Sequence, residues 1–153
     1  MSRAFVKETD AETPVPPERP VSLHPNFVTA EGLPAIEAEL ARLDKAHAAA
    51  VRAEDREAIA LTQRDQRYWT ARRASAQVVG APPADGYVHF GSVVTLTRVD
   101  GRRQTFRIVG EDEADPARGT VSYVSPLARA LTGRGVGDRV SLGGDEAEIL
   151  SIA

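Results

Sequence analysis

The chain has 153 residues, with 19 Lys+Arg against 22 Asp+Glu, and it contains no cysteine. A net charge of −3 excludes a polycation that coats nucleic acid by counterion release. The missing thiols exclude a disulfide framework, a thiolate metal site and a cysteine nucleophile. His24, His47 and His89 are scattered without ligand spacing. No apolar run approaches the roughly 18–20 residues of a membrane span. The N-terminal MSRAFVKETD lacks the apolar stretch of a secretion signal. The expectation is a soluble, cytoplasmic, monomeric protein. Divided after residues 31 and 80, the chain carries 3 basic and 5 acidic, then 8 and 7, then 8 and 10 residues, so no segment is a basic arm. With aromatics at 5 %, the core must be aliphatic and alanine-rich.

Residues 1–26 hold Pro14, Pro16, Pro17, Pro20 and Pro25 among few large apolar residues. Proline removes a ladder donor and disfavours helix in the residue before it, so a disordered or extended tail is expected, with Phe5 and Val6 as its apolar handles. Residues 27–79 read as a helical hairpin. Leu33, Ile36, Leu40, Leu43, His47 and Ala50 recur at alternating spacings of three and four, an apolar seam. Thr29 is a candidate N-cap, and Pro34 fits only in a first turn, which places the start near Gly32. The charge-dense run 52–57 breaks the pattern. A second helix then places Leu61, Tyr68, Ala71, Ser75 and Val79 on one face, with Trp69 off that seam, packed on the C-terminal domain or exposed. Two helices across a short polar break imply an antiparallel pair.

Residues 80–87, with two Gly and two Pro, form a linker. Residues 88–153 switch to strand period. Strands are expected over 92–99, 103–109 and 120–124, with Asp100-Gly101 as a hairpin turn. Ser125-Pro126 caps and opens a short helix to Leu131, closed by Gly133. Strands 139–142 and 146–152 finish the chain. The class is α+β, with an antiparallel sheet and one short helix.

This ordered set of residues resembles the C-terminal domain of the bacterial GreA/GreB transcription elongation factors. The likeness runs through Phe90-Gly91-Ser92-Val93-Val94-Thr95-Leu96, Phe106-Arg107-Ile108-Val109-Gly110, Glu113-Ala114-Asp115 and Val121-Ser122. It continues through Ser125-Pro126-Leu127-Ala128-Arg129-Ala130-Leu131, Gly133, Val136-Gly137-Asp138, Val140 and Glu148-Ile149-Leu150-Ser151-Ile152. Phe27-Val28-Thr29-Ala30-Glu31-Gly32, followed by Leu40 and Leu43, is similar to the start of that family's coiled-coil hairpin. The resemblance implies an FK506-binding-protein-like C-terminal domain docking at the rim of the secondary channel of bacterial RNA polymerase. It implies a hairpin that enters the channel, with acidic tip residues helping to hold a second Mg²⁺ in the polymerase active site. Any cleavage chemistry then belongs to the polymerase, this protein is no enzyme and has no cofactor of its own, and DNA or RNA is met only through the polymerase complex.

The chain departs from the family at the tip. It has no Asp-x-x-Glu pair within a run ending Asn-Ala-Glu-Tyr, and its hairpin is shorter by roughly ten residues per helix, about 15 Å of reach. Glu54, Asp55 and Glu57 are the tip candidates; the same run also reads as a solvated turn. The expected polymerase-binding residues are Val124, Ser125, Pro126 and Arg129, with Glu113 and Asp115 from the acidic run 111–115. Arg56, Arg64 and Arg67 share a helix face and are candidate nucleic-acid contacts, whereas Arg72 and Arg73 fall elsewhere around the helix. The favoured reading is a short-hairpin variant, like Rnk, with weak or no cleavage stimulation. The alternatives are a full Gre-type factor, an FK506-binding-protein-like prolyl isomerase, or a module for a non-polymerase partner. The isomerase needs an aromatic-lined pocket, and residues 81–153 offer only Tyr87, Phe90, Phe106 and Tyr123.

Overall fold

The computed structural model describes residues 14–153; Phe5 and Val6 lie outside them. Helix α1 spans Gly32–Arg52 and helix α2 spans Arg56–Ser75. Pro34 falls in the first turn of α1, where its missing N–H costs no helical bond. Thr29 does not cap the helix with its side chain, because that hydroxyl is drawn to Glu113. Ile36, Leu40, Leu43 and Ala50 are buried, so the expected seam faces inward. The turn Ala53–Asp55 reverses the chain. Glu54 takes a left-handed φ of 54°, and the Asp55 carboxylate caps α2 by accepting from the Ala58 N–H at 3.1 Å. Gln66 donates to Asp44 at 2.9 Å and His47 meets Thr62 at 3.0 Å, which fixes the antiparallel register. At about 1.5 Å per residue each helix is roughly 30 Å long.

The second helix differs from its expected seam. It ends at Ser75 instead of reaching Val79, Leu61 is 37 % exposed, and the one residue that α2 buries fully is Arg72. Trp69 turns neither to the sheet domain nor to solvent. It packs on Val28, Ile36 and Leu40, the small core at the base of the hairpin. Past α2, strand β2 (Gln77–Val78) lies parallel to β1 (Phe27–Val28), a two-residue pairing that ties the two ends of the hairpin together.

The C-terminal sheet contains β3 (Val93–Arg98), β4 (Arg103–Val109), β5 (Thr120–Ser122), β6 (Arg139–Leu142) and β7 (Asp145–Ile152), in the order β5-β4-β3-β7-β6. It is mixed, not purely antiparallel, because β5 runs parallel to β4. Residues 110–119 carry the chain back through two 3-10 turns, so β5 starts from the same end as β4. Helix α3 (Pro126–Leu131) covers one face, and Val88, Val94, Leu96, Ile108, Ala128, Leu131, Val140, Ala147 and Ile149 form the core beneath it. The buried residues of that core are aliphatic, as expected from the composition, and Phe90, Phe106 and Tyr123 pack against them from partly buried positions.

Among the described residues no helix is long and apolar enough to cross a membrane. Residues 14–26 form neither helix nor regular strand.

Candidate functional site

The β5–α3 loop is built by local capping. The Ser125 hydroxyl accepts from the Ala128 N–H at 3.2 Å, and Pro126 takes the first helical position, where its fixed φ suits the helix and its absent donor is no loss. Gly133 leaves the helix at a φ of 83°, a left-handed conformation that glycine adopts without strain. Pro126 and Arg129 face solvent. Val124 and Arg129 line an open groove of about 450 Å³ whose floor is aromatic. Phe27, Phe90 and Tyr123 stand there with ring centroids 5.4–6.2 Å apart. Phe27 comes from the base of the hairpin, so the groove is assembled by both parts of the chain. The Tyr123 hydroxyl donates to the Pro25 carbonyl at 2.5 Å, and burial raises its pKa above the ordinary tyrosine value.

The acidic run is not a free surface loop. Glu113 accepts from the Thr29 N–H at 3.0 Å and the Gly110 N–H at 2.9 Å, and also from the Thr29 hydroxyl. It therefore staples the start of the hairpin to the end of β4. Gly32 and Gly110 permit this approach. A Cβ on Gly32 would lie 2.7 Å from the Glu113 carboxyl, and one on Gly110 would press into the Phe27 carbonyl oxygen. Asp112 receives the Arg72 Nε–H at 2.5 Å and the Tyr68 hydroxyl. Arg72 is 1 % exposed and also donates to Asn26 Oδ1 at 2.8 Å, while Glu111 lies 3.7 Å away. Arg72 Nη2 thus donates to the amide, with the second carboxylate at ion-pair distance only. Burial, with the Asp112 carboxylate as acceptor, pushes the Tyr68 phenol up to about 12. Asp115 accepts from the Ala117 N–H at 3.1 Å, so it caps its own 3-10 turn.

The expected site residues therefore separate. Val124, Ser125, Pro126 and Arg129 share the capped loop, whereas Glu113 is engaged inside the molecule and Asp115 in local capping. At the tip, Asp55 is committed to capping α2, while Glu54 and Glu57 are exposed. Along α2, Arg64 pairs with Asp65 at 3.0 Å and Arg67 with Glu18, and Arg56 is exposed at the tip. Sequence reasoning left Arg72 off the face shared by Arg56, Arg64 and Arg67 and gave it no role. The structure puts it, with Asn26, Tyr68 and Asp112, at the junction of hairpin and sheet domain. The available signal was the dense acidic run 111–115, set against an arginine on a helix with few apolar residues.

Residues 83–153 match the family model of the C-terminal domain of transcription elongation factor GreA/GreB. Transcription elongation factor GreB of Neisseria meningitidis is 46 % identical over 92 residues, covering 56 % of this chain and 56 % of its own. Transcription elongation factor GreA of Desulfovibrio desulfuricans is 44 % identical over 78 residues, covering 50 % of this chain and 48 % of its own. The chain thus spans about half the length of the curated relatives it matches. The crystal structure of GreA factor homolog 1 of Thermus thermophilus aligns with a TM-score of 0.42 at 21 % identity, covering 85 % of this chain and 99 % of that one. Residues 83–153 are thus similar to the C-terminal domain of transcription elongation factor GreA/GreB.

Proposed function

From a C-terminal domain of the GreA/GreB type, we propose that this protein is a cytoplasmic regulator of transcription elongation that binds bacterial RNA polymerase. The observation that carries the reading is the family match of residues 83–153, joined to a helical hairpin whose base is bolted to that domain through Arg72 and Glu113. The sheet domain docks at the secondary-channel rim through Val124, Ser125, Pro126 and Arg129. The Ser125 cap holds this loop in one shape before binding, which lowers the ordering cost of association. The hairpin points into the channel.

In this reading the protein occupies the channel with little stimulation of transcript cleavage. A two-metal hydrolysis needs carboxylate oxygens at the second Mg²⁺ with little positional tolerance. Asp55 already spends its carboxylate on the helix end, and helices of 21 and 20 residues give short reach. The test is a stalled, backtracked elongation complex supplied with Mg²⁺. Binding without accelerated cleavage is expected. Cleavage that disappears when Glu54, Asp55 and Glu57 are changed together to alanine overturns this reading in favour of a full Gre-type factor. Failure to co-purify with core polymerase at moderate salt favours a different protein partner. The aromatic groove gives the isomerase alternative its one structural foothold, and a proline-peptide isomerisation assay with no turnover removes it.

A further inference from the structure

The segment upstream of the hairpin does something that neither the family match nor the channel reading uses. From residue 25 back to residue 18 it climbs from the sheet domain along α2 toward the tip. The Pro25 carbonyl is held by Tyr123 of the sheet domain, and Ser22 donates to Glu111 at 2.9 Å. Arg19 then lays its guanidinium over the face of Tyr68, 4.0 Å from the ring centroid, and 5.7 Å from that of Trp69, with Asp65 at 3.5 Å. Glu18 pairs with Arg67 on the same stretch of α2. One short stretch therefore grips both parts of the molecule, meeting the rim of the buried Arg72 junction at Glu111 and Tyr68.

These contacts differ in kind from those of the junction. Arg72 and Asp112 are enclosed, with side-chain exposures of 1 % and 10 %, whereas Arg67 and Glu18 stand at 53 % and 63 % and Arg19 at 36 %. Exposed ion pairs contribute little individually and are screened by salt, while enclosed pairs are screened far less. Pro20 and Pro25 within the stretch, and Pro14, Pro16 and Pro17 before it, already restrict its unbound chain, so docking orders few further torsions. Such a segment attaches cheaply and detaches without unfolding what lies below it.

We propose that residues 18–25 are a releasable brace that narrows the range of angles between the hairpin and the sheet domain, and that its release lets the hairpin tip swing about the base held by Arg72 and Glu113. Arg19 is the anchor, because it alone holds a ring face and a carboxylate together. The proposal does not depend on the polymerase reading.

The chain lends itself to a direct test, since it has no cysteine and a single tryptophan, Trp69, beside Arg19. Cysteines introduced at the exposed positions Ala53 and Val136 take spin labels on the hairpin tip and the sheet domain. At low salt the full chain is expected to give one narrow distance distribution. Arg19→Ala is expected to lose it, with a broadened distribution and a shifted Trp69 emission, while far-UV circular dichroism stays unchanged. Salt at about 0.5 M, where the Debye length falls to roughly 4 Å, is expected to move the unsubstituted chain the same way and leave Arg19→Ala where it is. Arg19→Lys, which keeps the charge but not the planar stacking, is expected to fall between them. If Arg19→Ala gives the same narrow distribution as the parent chain, the brace does not narrow the range of angles and the proposal fails. If Arg19→Ala loses helicity, the salt titration of the unsubstituted chain decides: a narrow distribution that survives high salt overturns the proposal, and one that broadens with helices intact upholds it.

Discussion

The sheet domain and the hairpin are stabilised by opposite means. The sheet domain encloses nine apolar residues, from Val88 to Ile149, between one helix and five strands. The hairpin has a small apolar base of Val28, Ile36 and Leu40, continued up α1 by Leu43 and Ala50, and α2 answers this stripe with Trp69 at the base and with polar side chains above it. His47–Thr62 and Asp44–Gln66 mark successive levels down the hairpin, and Arg72–Asp112 joins its base to the sheet domain. Directional polar contacts fix register without contributing much net stability, since each replaces bonds to water. The hairpin therefore draws its stability from its base, where polar groups are buried against the sheet domain, and its tip is the end that opens first.

The sharpest way to break this contrast is Arg72→Met. It leaves Asp112 buried without its cation and Asn26 without its donor, and loss of one partner of a buried pair costs about 3–5 kcal/mol. Urea unfolding followed by helical circular dichroism is expected to show the hairpin melting well before the sheet domain. A single unshifted transition would mean that the apolar base alone holds the hairpin. Next in size is Thr29→Val, which removes the hydroxyl donor to Glu113 and leaves the backbone N–H contact in place. An under-satisfied, partly buried carboxylate costs about 1–3 kcal/mol, and the same melt is expected to shift in the same direction by less.

These two residues also mark where sequence reasoning stops. The α1 seam was legible because apolar residues at three and four spacings can bury only on one helix face, and Ser125-Pro126 because a cap and a first-turn proline are local devices. The β3–β4 turn was legible from Asp100-Gly101 for the same reason. Arg72 was not, because its partners Asn26 and Asp112 stand 46 and 40 positions away and a charged residue on a polar helix carries no period. Glu113 looked like surface charge until β4 brought it beneath Thr29. The parallel pairing of β5 was hidden too, since alternation reports which face a strand buries and says nothing of its neighbour's direction. Thr29 was misread for a related reason: a hydroxyl before a helix is a cap by local rules, and here a distant carboxylate outcompetes the helix for it.

The two capped helices offer a finer comparison. Ser125 and Asp55 make the same bond to the N–H three residues on, at 3.2 and 3.1 Å. Removing either cap costs a helix about 1 kcal/mol. The expected consequences differ. Ser125→Ala acts on a helix packed into the sheet-domain core and is expected to lower the cooperative melting temperature. Asp55→Ala acts at the exposed tip and is expected to accelerate amide exchange in the first turn of α2 with little change in melting. Equal shifts in melting from both would show that the tip folds as one unit with the base.

The smallest expected effect concerns Tyr68 and appears only in alkali. Burial and the Asp112 acceptor favour the protonated phenol, so its pKa stands near 12 against an ordinary 10.0. A folded pKa above the unfolded one means that the contribution is complete below about pH 10 and is lost as pH rises toward about 12, where the unfolded chain is already ionised. Helicity of the hairpin is expected to fall between these limits in the parent chain, alongside phenolate absorbance. Tyr68→Phe, which has no proton to lose, is expected to flatten that part of the helicity curve while starting from a slightly lower stability. Tyr123 is also raised, yet it donates to the Pro25 carbonyl from the sheet-domain side and leaves the α2 contact with Asp112 untouched. An unchanged alkaline loss in Tyr68→Phe would move the sensitive group off the base of the hairpin and weaken the claim that this end bears the load.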